Sequence, residues 1–468
     1  MKKLITFFLL SLFLLTNLSF SALAQTRQTN EVLIKNATVM TAASGTLQNT
    51  DILIRNGKIA RIGKNLSGAA NAQVIDATGK YVTPGIIDAH SHAMMDSINE
   101  SSFSVTSMTR VRDVLNPNDV AIYRALAGGV TAQNLLHGSA NSIGGQNSIV
   151  KNKFGRPIED FLIPDAPPGI KFAMGENVKR ANFQPQPGQT QRYPRTRMGV
   201  IETMRDAFLR AKDYKQEWDD FRAKKTKVQP RRDLELEPLV EILEGKRHVH
   251  AHGYRSDEHL NLLRLAEEMG FKVKVLQHAL EAYKIAPEVA KHGAAASIFA
   301  DSWSYKLEAY DSIPYNAAIL WRNGVNVSIN SDSSERIRRL NLDAAKVMKY
   351  GGVPEEEALK MITLNPAIQL GIEKRTGSIE VGKDADLVIW NAHPFSPYAM
   401  VERTMIEGEW YFERERDLLR RQEFERERER LEKLEANRPP TSGGTQPRIP
   451  TEREREHLDN ADGGDNND

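Results

Sequence analysis

The chain has no cysteine among its 468 residues. That absence removes disulfide frameworks, a cysteine nucleophile, CxxC redox pairs and thiolate zinc sites, so any metal must rest on His, Asp, Glu or Lys. A surplus of charge is missing too: 63 Lys and Arg stand against 61 Asp and Glu, for a formal net charge of +2. No electrostatic footprint for nucleic acid results, and none is expected to bind. Beyond the first two dozen residues no apolar run is long enough to cross a bilayer, so no permanent membrane anchor is expected. What remains is ordinary for a globular chain, with 40% hydrophobic and 26% charged residues. At about 150 residues per domain the length suggests two or three domains. The expected partner is a small molecule, and homo-oligomerisation stays open.

Both ends read as lying outside the fold. Residues 1–24 carry Lys2 and Lys3, a Leu/Phe-rich stretch from Leu4 to Leu15, and Ser21-Ala22-Leu23-Ala24 ahead of Gln25. A basic start, a short apolar core and an Ala-x-Ala site describe a secretory signal peptide cut after Ala24. Gln25, not cysteine, follows the cut, so a lipid anchor is not expected, and a thiol-free exported chain suits an oxidising bacterial periplasm. Residues 413–468 pass from an Arg/Glu alternation (Glu425 to Arg430) to Pro/Gly/Thr/Ser-rich and then Asn/Asp-rich sequence. This composition predicts a solvated charged helix followed by a disordered tail.

The middle alternates strand and helix patterns. Short β patterns at Glu31 to Ile34, Asp51 to Ile54 and Lys58 to Ile62 return in kind at Ala385 to Trp390 and Met400 to Ile406. The two sets are expected to share one small β domain. Between them, strand-like runs near Gly85 to Ala89, Val130 to Leu136, Ile170 to Ala173, His248 to Ala251, Lys272 to Leu276, Ala294 to Ile298 and Val325 to Ile329 alternate with helical runs such as Asp257 to Met269. That alternation predicts an α/β fold with a parallel sheet or barrel, whose chemistry gathers at the C-terminal ends of the strands.

Histidines mark those ends. Eleven histidines in a chain of this length should yield about a quarter of one His-x-His by chance, yet three occur. His90 and His92 close an apolar strand, and alternation of side chains points both to one side. His248, His250 and His252 repeat the pattern, His278 ends the next strand, and Asp332 follows Val325 to Ile329. A barrel would bring these ends together as a nitrogen and oxygen ligand set suited to zinc or a related divalent ion.

The run Val82-Thr83-Pro84-Gly85-Ile86-Ile87-Asp88-Ala89-His90-Ser91-His92 resembles the first-strand signature of the amidohydrolase superfamily. The return segment Gly377 to Val388 is similar to the one with which these enzymes leave the barrel, and Val249-His250-Ala251-His252-Gly253 resembles the imidazolonepropionase-like and prolidase-like branch. The resemblance implies a (β/α)8 TIM-type barrel over 82–375 with an insertion at 175–246, and a small β-sandwich domain from 25–81 and 376–412. It implies metal ligands His90, His92, His250, His278 and Asp332, with a carboxylated Lys171 or else Glu176 at the fourth strand, holding one or two ions, zinc foremost. His252 is left to face the substrate. In the glycine-rich run after the second strand, His137, Asn141 and Gln146 are expected substrate contacts, because glycine lets backbone approach a ligand.

The chemistry implied is hydrolysis of an amide-type C–N bond in a small molecule, of the dipeptide or N-acyl amino acid class. A divalent ion would activate water at neutral pH, and Asp332 would take the proton and pass it to the leaving amine. The ligand pattern leaves open a cyclic-amide hydrolase or a deaminase with one metal, and a non-catalytic homologue.

Overall fold

The computed structural model describes residues 31–180 and 192–437. The expected signal peptide, residues 181–191 of the insertion and the tail beyond 437 lie outside the described residues. Five strands open the described chain: β1 (Glu31–Met40), β2 (Thr46–Arg55), β3 (Lys58–Gly63), β4 (Gln73–Asp76) and β5 (Tyr81–Pro84). Nine follow in the middle: β6 (Ile86–Ser91), β7 (Val130–Leu135), β8 (Ile143–Gln146), β9 (Ser148–Lys151), β10 (Gly169–Ala173), β11 (His248–Gly253), β12 (Val273–His278), β13 (Ala295–Ile298) and β14 (Val327–Ile329). The last three are β15 (Leu387–Trp390), β16 (Val401–Ile406) and β17 (Glu409–Glu413).

The two ends of the chain share a sheet. Its order is β17-β16-β15-β5-β1-β2-β3, with β4 added beside β1. The Asn56-Gly57 turn joining β2 to β3 has φ of 51° and 78°, a left-handed pair that suits Asn-Gly and few other dipeptides. Alternate residues Ile34, Ile52, Ile54, Val82, Leu387 and Ile389 fill one core beneath the sheet. β5 pairs antiparallel with β15, Val82 against Ile389 and Pro84 against Leu387. Val82, Thr83 and Pro84 therefore belong to this sheet, past the boundary at 81 that the sequence suggested.

The middle strands form a six-stranded sheet, β14-β13-β12-β11-β10-β8, and a three-stranded one, β6-β7-β9. β10 to β14 run parallel, and β6 runs parallel to β7. Helices Ser256–Met269, Ala286–His292 and Asn316–Arg322 connect β11 through β14. Ile143 to Gln146, within the glycine-rich run after the second strand, is itself a strand lying antiparallel against β10. The insertion carries a 26-residue helix, Arg197–Arg222, capped by Thr196 accepting from the Gly199 N–H. Helix Arg414–Ala436 exposes Leu418, Leu419, Phe424, Leu431 and Leu434, as its charged composition requires. Among the described residues no helix is long and apolar enough to cross a membrane.

Candidate metal centre

Alternation places the histidines. Val249 and Ala251 pack into the main core, which sends His250 and His252 to the other face of β11. Lys171 of β10 stands in register with His250. Both are buried, Lys171 wholly so, which rules out a solvated lysine at this position.

Three of the sequence-derived ligands converge. The ligand atoms of His90, His92 and Asp332 all lie within 4.8 Å of one another. Asp332 Oδ1 is 3.2 Å from His90 Nε2 and 3.0 Å from His92 Nε2, and Asp332 Oδ2 is 3.7 Å from His278 Nε2. Lys171 Nζ lies 3.1 Å from His90 Nε2 and donates to the His137 carbonyl at 3.2 Å. Glu176 sits in the short helix Gly175–Arg180, where its N–H donates to Glu308 Oε2 at 2.9 Å. Its carboxylate does not join the His90, His92 and Asp332 group.

The backbone is bent to make this convergence. His278 has φ of 66° and Asp332 φ of 49°, left-handed values that cost a non-glycine residue about 1 kcal/mol or more. Asp88, which sequence reading passed over, holds the arrangement from below. Its Oδ1 accepts from the N–H groups of His90 (3.1 Å) and Ser331 (3.2 Å), and its Oδ2 accepts from Ser331 Oγ at 2.5 Å. The Asp332 N–H then donates to the His90 carbonyl at 3.0 Å. A carboxylate inside the apolar run Ile86-Ile87-Asp88 was the signal for it, since a buried charge must be hydrogen-bonded. Burial nevertheless pushes the Asp88 carboxyl up to about 7 against those hydrogen bonds.

Gln277 is the second residue that sequence reading missed. Its Oε1 is 3.2 Å from His90 Nδ1 and its Nε2 is 3.3 Å from His250 Nδ1. An amide accepts through oxygen and donates through nitrogen, so with the Gln277 amide in this orientation the tautomer of His90 that fits has its proton on Nδ1 and its Nε2 lone pair toward Asp332. That nitrogen lies 3.2 Å from a carboxylate oxygen and 3.1 Å from the Lys171 amine, a grouping that a cation would complete.

The donor set fits a divalent cation. Burial holds the imidazoles of His90 and His252 well below the usual histidine range, and brings His250 and His278 down to about 3. All four are neutral, as metal ligation requires. Burial raises the Asp332 carboxyl, and the positive charge that protonated His278, His90 or His92 would bring lowers it well below the carboxylate range; with those rings neutral, a bound cation would supply that charge. Both ring nitrogens of His252 and of His278 are buried with no hydrogen-bond partner among the described residues. Orphaned polar atoms of this kind cost about 1–3 kcal/mol each unless a ligand satisfies them.

The other expected substrate contacts are occupied as braces. His137 Nε2 accepts from the Glu100 N–H at 2.8 Å, and its Nδ1 lies 2.9 Å from the Gly138 carbonyl. Asn141 Nδ2 donates to the Glu100 and Phe103 carbonyls and to Thr106 Oγ1, and Gln146 Nε2 donates to the Ser107 carbonyl. The glycines make room for this packing, because a Cβ on Gly144 would lie 2.8 Å from His137 Nδ1. These side chains brace the segment around 100–107, and Asn141 Oδ1 is left buried with no hydrogen-bond partner among the described residues. The His252 ring lies 4.7 Å from those of His278 and Tyr254.

The site is that of a hydrolase built around a histidine and carboxylate metal centre. The family model described as amidohydrolase family matches residues 248–411. A solved amidohydrolase from Thermotoga maritima MSB8 is 36% identical, with a TM-score of 0.75, and the match covers 82% of this chain and all of that one. An amidohydrolase of Hapsidospora irregularis, tasK, is 33% identical over 397 residues, 78% of this chain. The chain spans 40% of that relative's length. An imidazolonepropionase from Geobacillus sp. strain WCH70 is 24% identical over 388 residues, covering 74% of this chain and 84% of its own. This chain belongs to the amidohydrolase family.

Proposed function

We propose that this chain is an exported, zinc-dependent amidohydrolase that cleaves the amide-type C–N bond of a dipeptide or N-acyl amino acid. The observation that carries the reading is the convergence of His90, His92 and Asp332 beside the buried amine of Lys171. His90, His92, His278 and Asp332 would hold the metal, and Lys171, carboxylated, would join two ions. Its burial at the centre favours it over Glu176 for that position. His250 takes a ligand position through Nε2 when its Nδ1 carries the proton, which needs the Gln277 amide turned over. A divalent ion held there would polarise the scissile carbonyl and would bring the pKa of a water toward about 7.

The chain's own groups do the rest. Asp332, ionised at neutral pH, accepts the proton of the attacking water at Oδ2 and returns it to the leaving nitrogen. His252 faces the substrate beside Tyr254. Asp88 and Gln277 fix the orientation of His90 and of the Ser331-Asp332 turn, as outer partners of metal ligands do.

The same reading has β6, β7 and β10 to β14 supply seven strands of a (β/α)8 barrel over 85–375, beside a β-sandwich from 25–84 and 376–412. The Asp332 to His90 backbone bond, which joins the end of β14 to β6, supports closure. Export through residues 1–24 predicts that protein from a bacterial periplasm starts at Gln25 by intact mass; a retained Met1 would remove it.

Elemental analysis of the purified protein and of a His90→Ala/His92→Ala variant tests the centre. Two zinc ions per chain, lost in the variant, are expected. One ion would move the assignment to cyclic-amide hydrolysis or deamination, and none in a folded, metal-supplemented preparation would end it.

A further inference from the structure

Arginines of the insertion are the obvious anchors for a substrate carboxylate, and two of them are engaged elsewhere. Arg197 is paired with Glu258 and Glu308, and Arg192 donates to the carbonyls of Ser101, Phe103 and Ala140. Lys306 is placed differently. It lies in the loop after β13, half-buried, and among the described residues no carboxylate pairs with its ammonium. Its hydrogen bonds are long, 3.4 Å to Asn177 Oδ1 and 3.4 Å to the Tyr254 hydroxyl. The ammonium lies 5.4 Å from the centre of the Tyr254 ring and 5.5 Å from that of Tyr305, and the two hydroxyls are joined at 2.7 Å.

Three strand ends meet at this ammonium, through Asn177 after β10, Tyr254 after β11 and Lys306 after β13. The Tyr254 ring in turn packs 4.7 Å from the ring of His252 and 5.7 Å from that of His278, two imidazoles with no hydrogen-bond partner among the described residues. Lys306 is thus within about 10 Å of the His252 ring centre, one aromatic ring away from the centre. An α-carboxylate lies about 4–5 Å from a scissile carbonyl carbon on standard bond lengths, and a charge-assisted hydrogen bond adds about 2.8 Å. The span fits a carboxylate on the residue that supplies the leaving nitrogen.

We propose that Lys306, set against Tyr254 and Tyr305, anchors the α-carboxylate of the substrate and so selects amides whose leaving group is an amino acid. The proposal rests on the amide-hydrolase reading and names the substrate end that the enzyme holds. The rings of Tyr254 and Tyr305 hold the ammonium in place without neutralising it, as a carboxylate partner would. The substrate carboxylate completes the pairing.

The test is calorimetric titration of the metal-loaded full chain with a panel of N-methanesulfonyl-L-amino acids, which resist hydrolysis, and of their carboxamides. At least one carboxylate is expected to bind about 10- to 100-fold more tightly than its carboxamide. That preference should vanish in Lys306→Met and return in Lys306→Arg, with zinc content unchanged in both. A wild-type protein that binds every pair equally, or a Lys306→Met protein that keeps the preference, overturns the proposal. Failure of the hydrolase reading is read separately, as no turnover of N-acyl amino acids despite an intact binding preference.

Discussion

Replacing Asp332 with asparagine is expected to lower kcat by about 100- to 10,000-fold, the range set by loss of a positioned proton acceptor. The fold should survive, because asparagine tolerates the left-handed φ of 49° at this position better than alanine does. The backbone bond from residue 332 to the His90 carbonyl is also independent of the side chain. Steady-state kinetics paired with the thermal unfolding midpoint separates the two effects. Undiminished turnover would remove Asp332 from the chemistry; lost turnover with a collapsed midpoint would assign it to folding instead.

The second large effect lies away from the centre. Lys151 of β9 is buried with its ammonium 2.7 Å from Asp384 Oδ2, 2.9 Å from Asp386 Oδ2 and 2.9 Å from Glu407 Oε1. Lys58 and Arg375 also reach Asp384. The cluster ties the middle of the chain to the sheet built from its ends. Lys151→Met should cost about 3–5 kcal/mol of stability, because it strands buried carboxylate that the lysine compensates.

The pH dependence separates stranded charge from simple loss of packing. Burial raises the Asp384 carboxyl, but Lys151, Lys58 and Arg375 bring it down to about 2. A folded pKa below the unfolded value near 3.9 gives stability that is present above about pH 4 and lost as pH falls toward 2. Burial disfavours the Lys151 ammonium, yet Asp386, Glu407 and Asp384 raise it above 10.5, so its contribution is complete below that pH and lost above it. In Lys151→Met the sign reverses, and the deficit should shrink as pH falls from 7 to 5 and protons neutralise the stranded charge. Urea unfolding at both pH values measures this, and a deficit below about 1 kcal/mol without pH dependence would show that the cluster carries little.

Spacing within strands was legible in the sequence, and contacts between strands were not. His90 and His92, or His250 and His252, share a face because β structure repeats every two residues, and that repeat is written locally. The Asp384-Ala385-Asp386 segment was readable as part of a returning β pattern, but its buried lysine partner lies 233 residues away in the chain, beyond any local signal. Ile143 to Gln146 was hidden for a different reason. Its glycines have turn-like propensity, and only the tertiary pairing with Ile170 and Phe172 makes them a strand. His137, Asn141 and Gln146 were polar residues in a glycine-rich run, and composition alone does not distinguish side chains that brace a loop from side chains that meet a ligand. Asp88 and Gln277 were in view beside their histidines, yet their roles depend on which partner each faces across the fold.

Gln277 also makes the two histidines that it touches unlike. An amide has a giving end and a taking end, and His90 meets the one while His250 meets the other. The two rings cannot both offer a bare Nε2 inward while that amide spans them. The interior is therefore handed, with the electron-rich side at β6 and the hydrogen-bearing side at β11. Turning a single side-chain amide through half a revolution would exchange the two, moving the strongest pull on a cation from one wall of the cavity to the opposite one with no strand displaced.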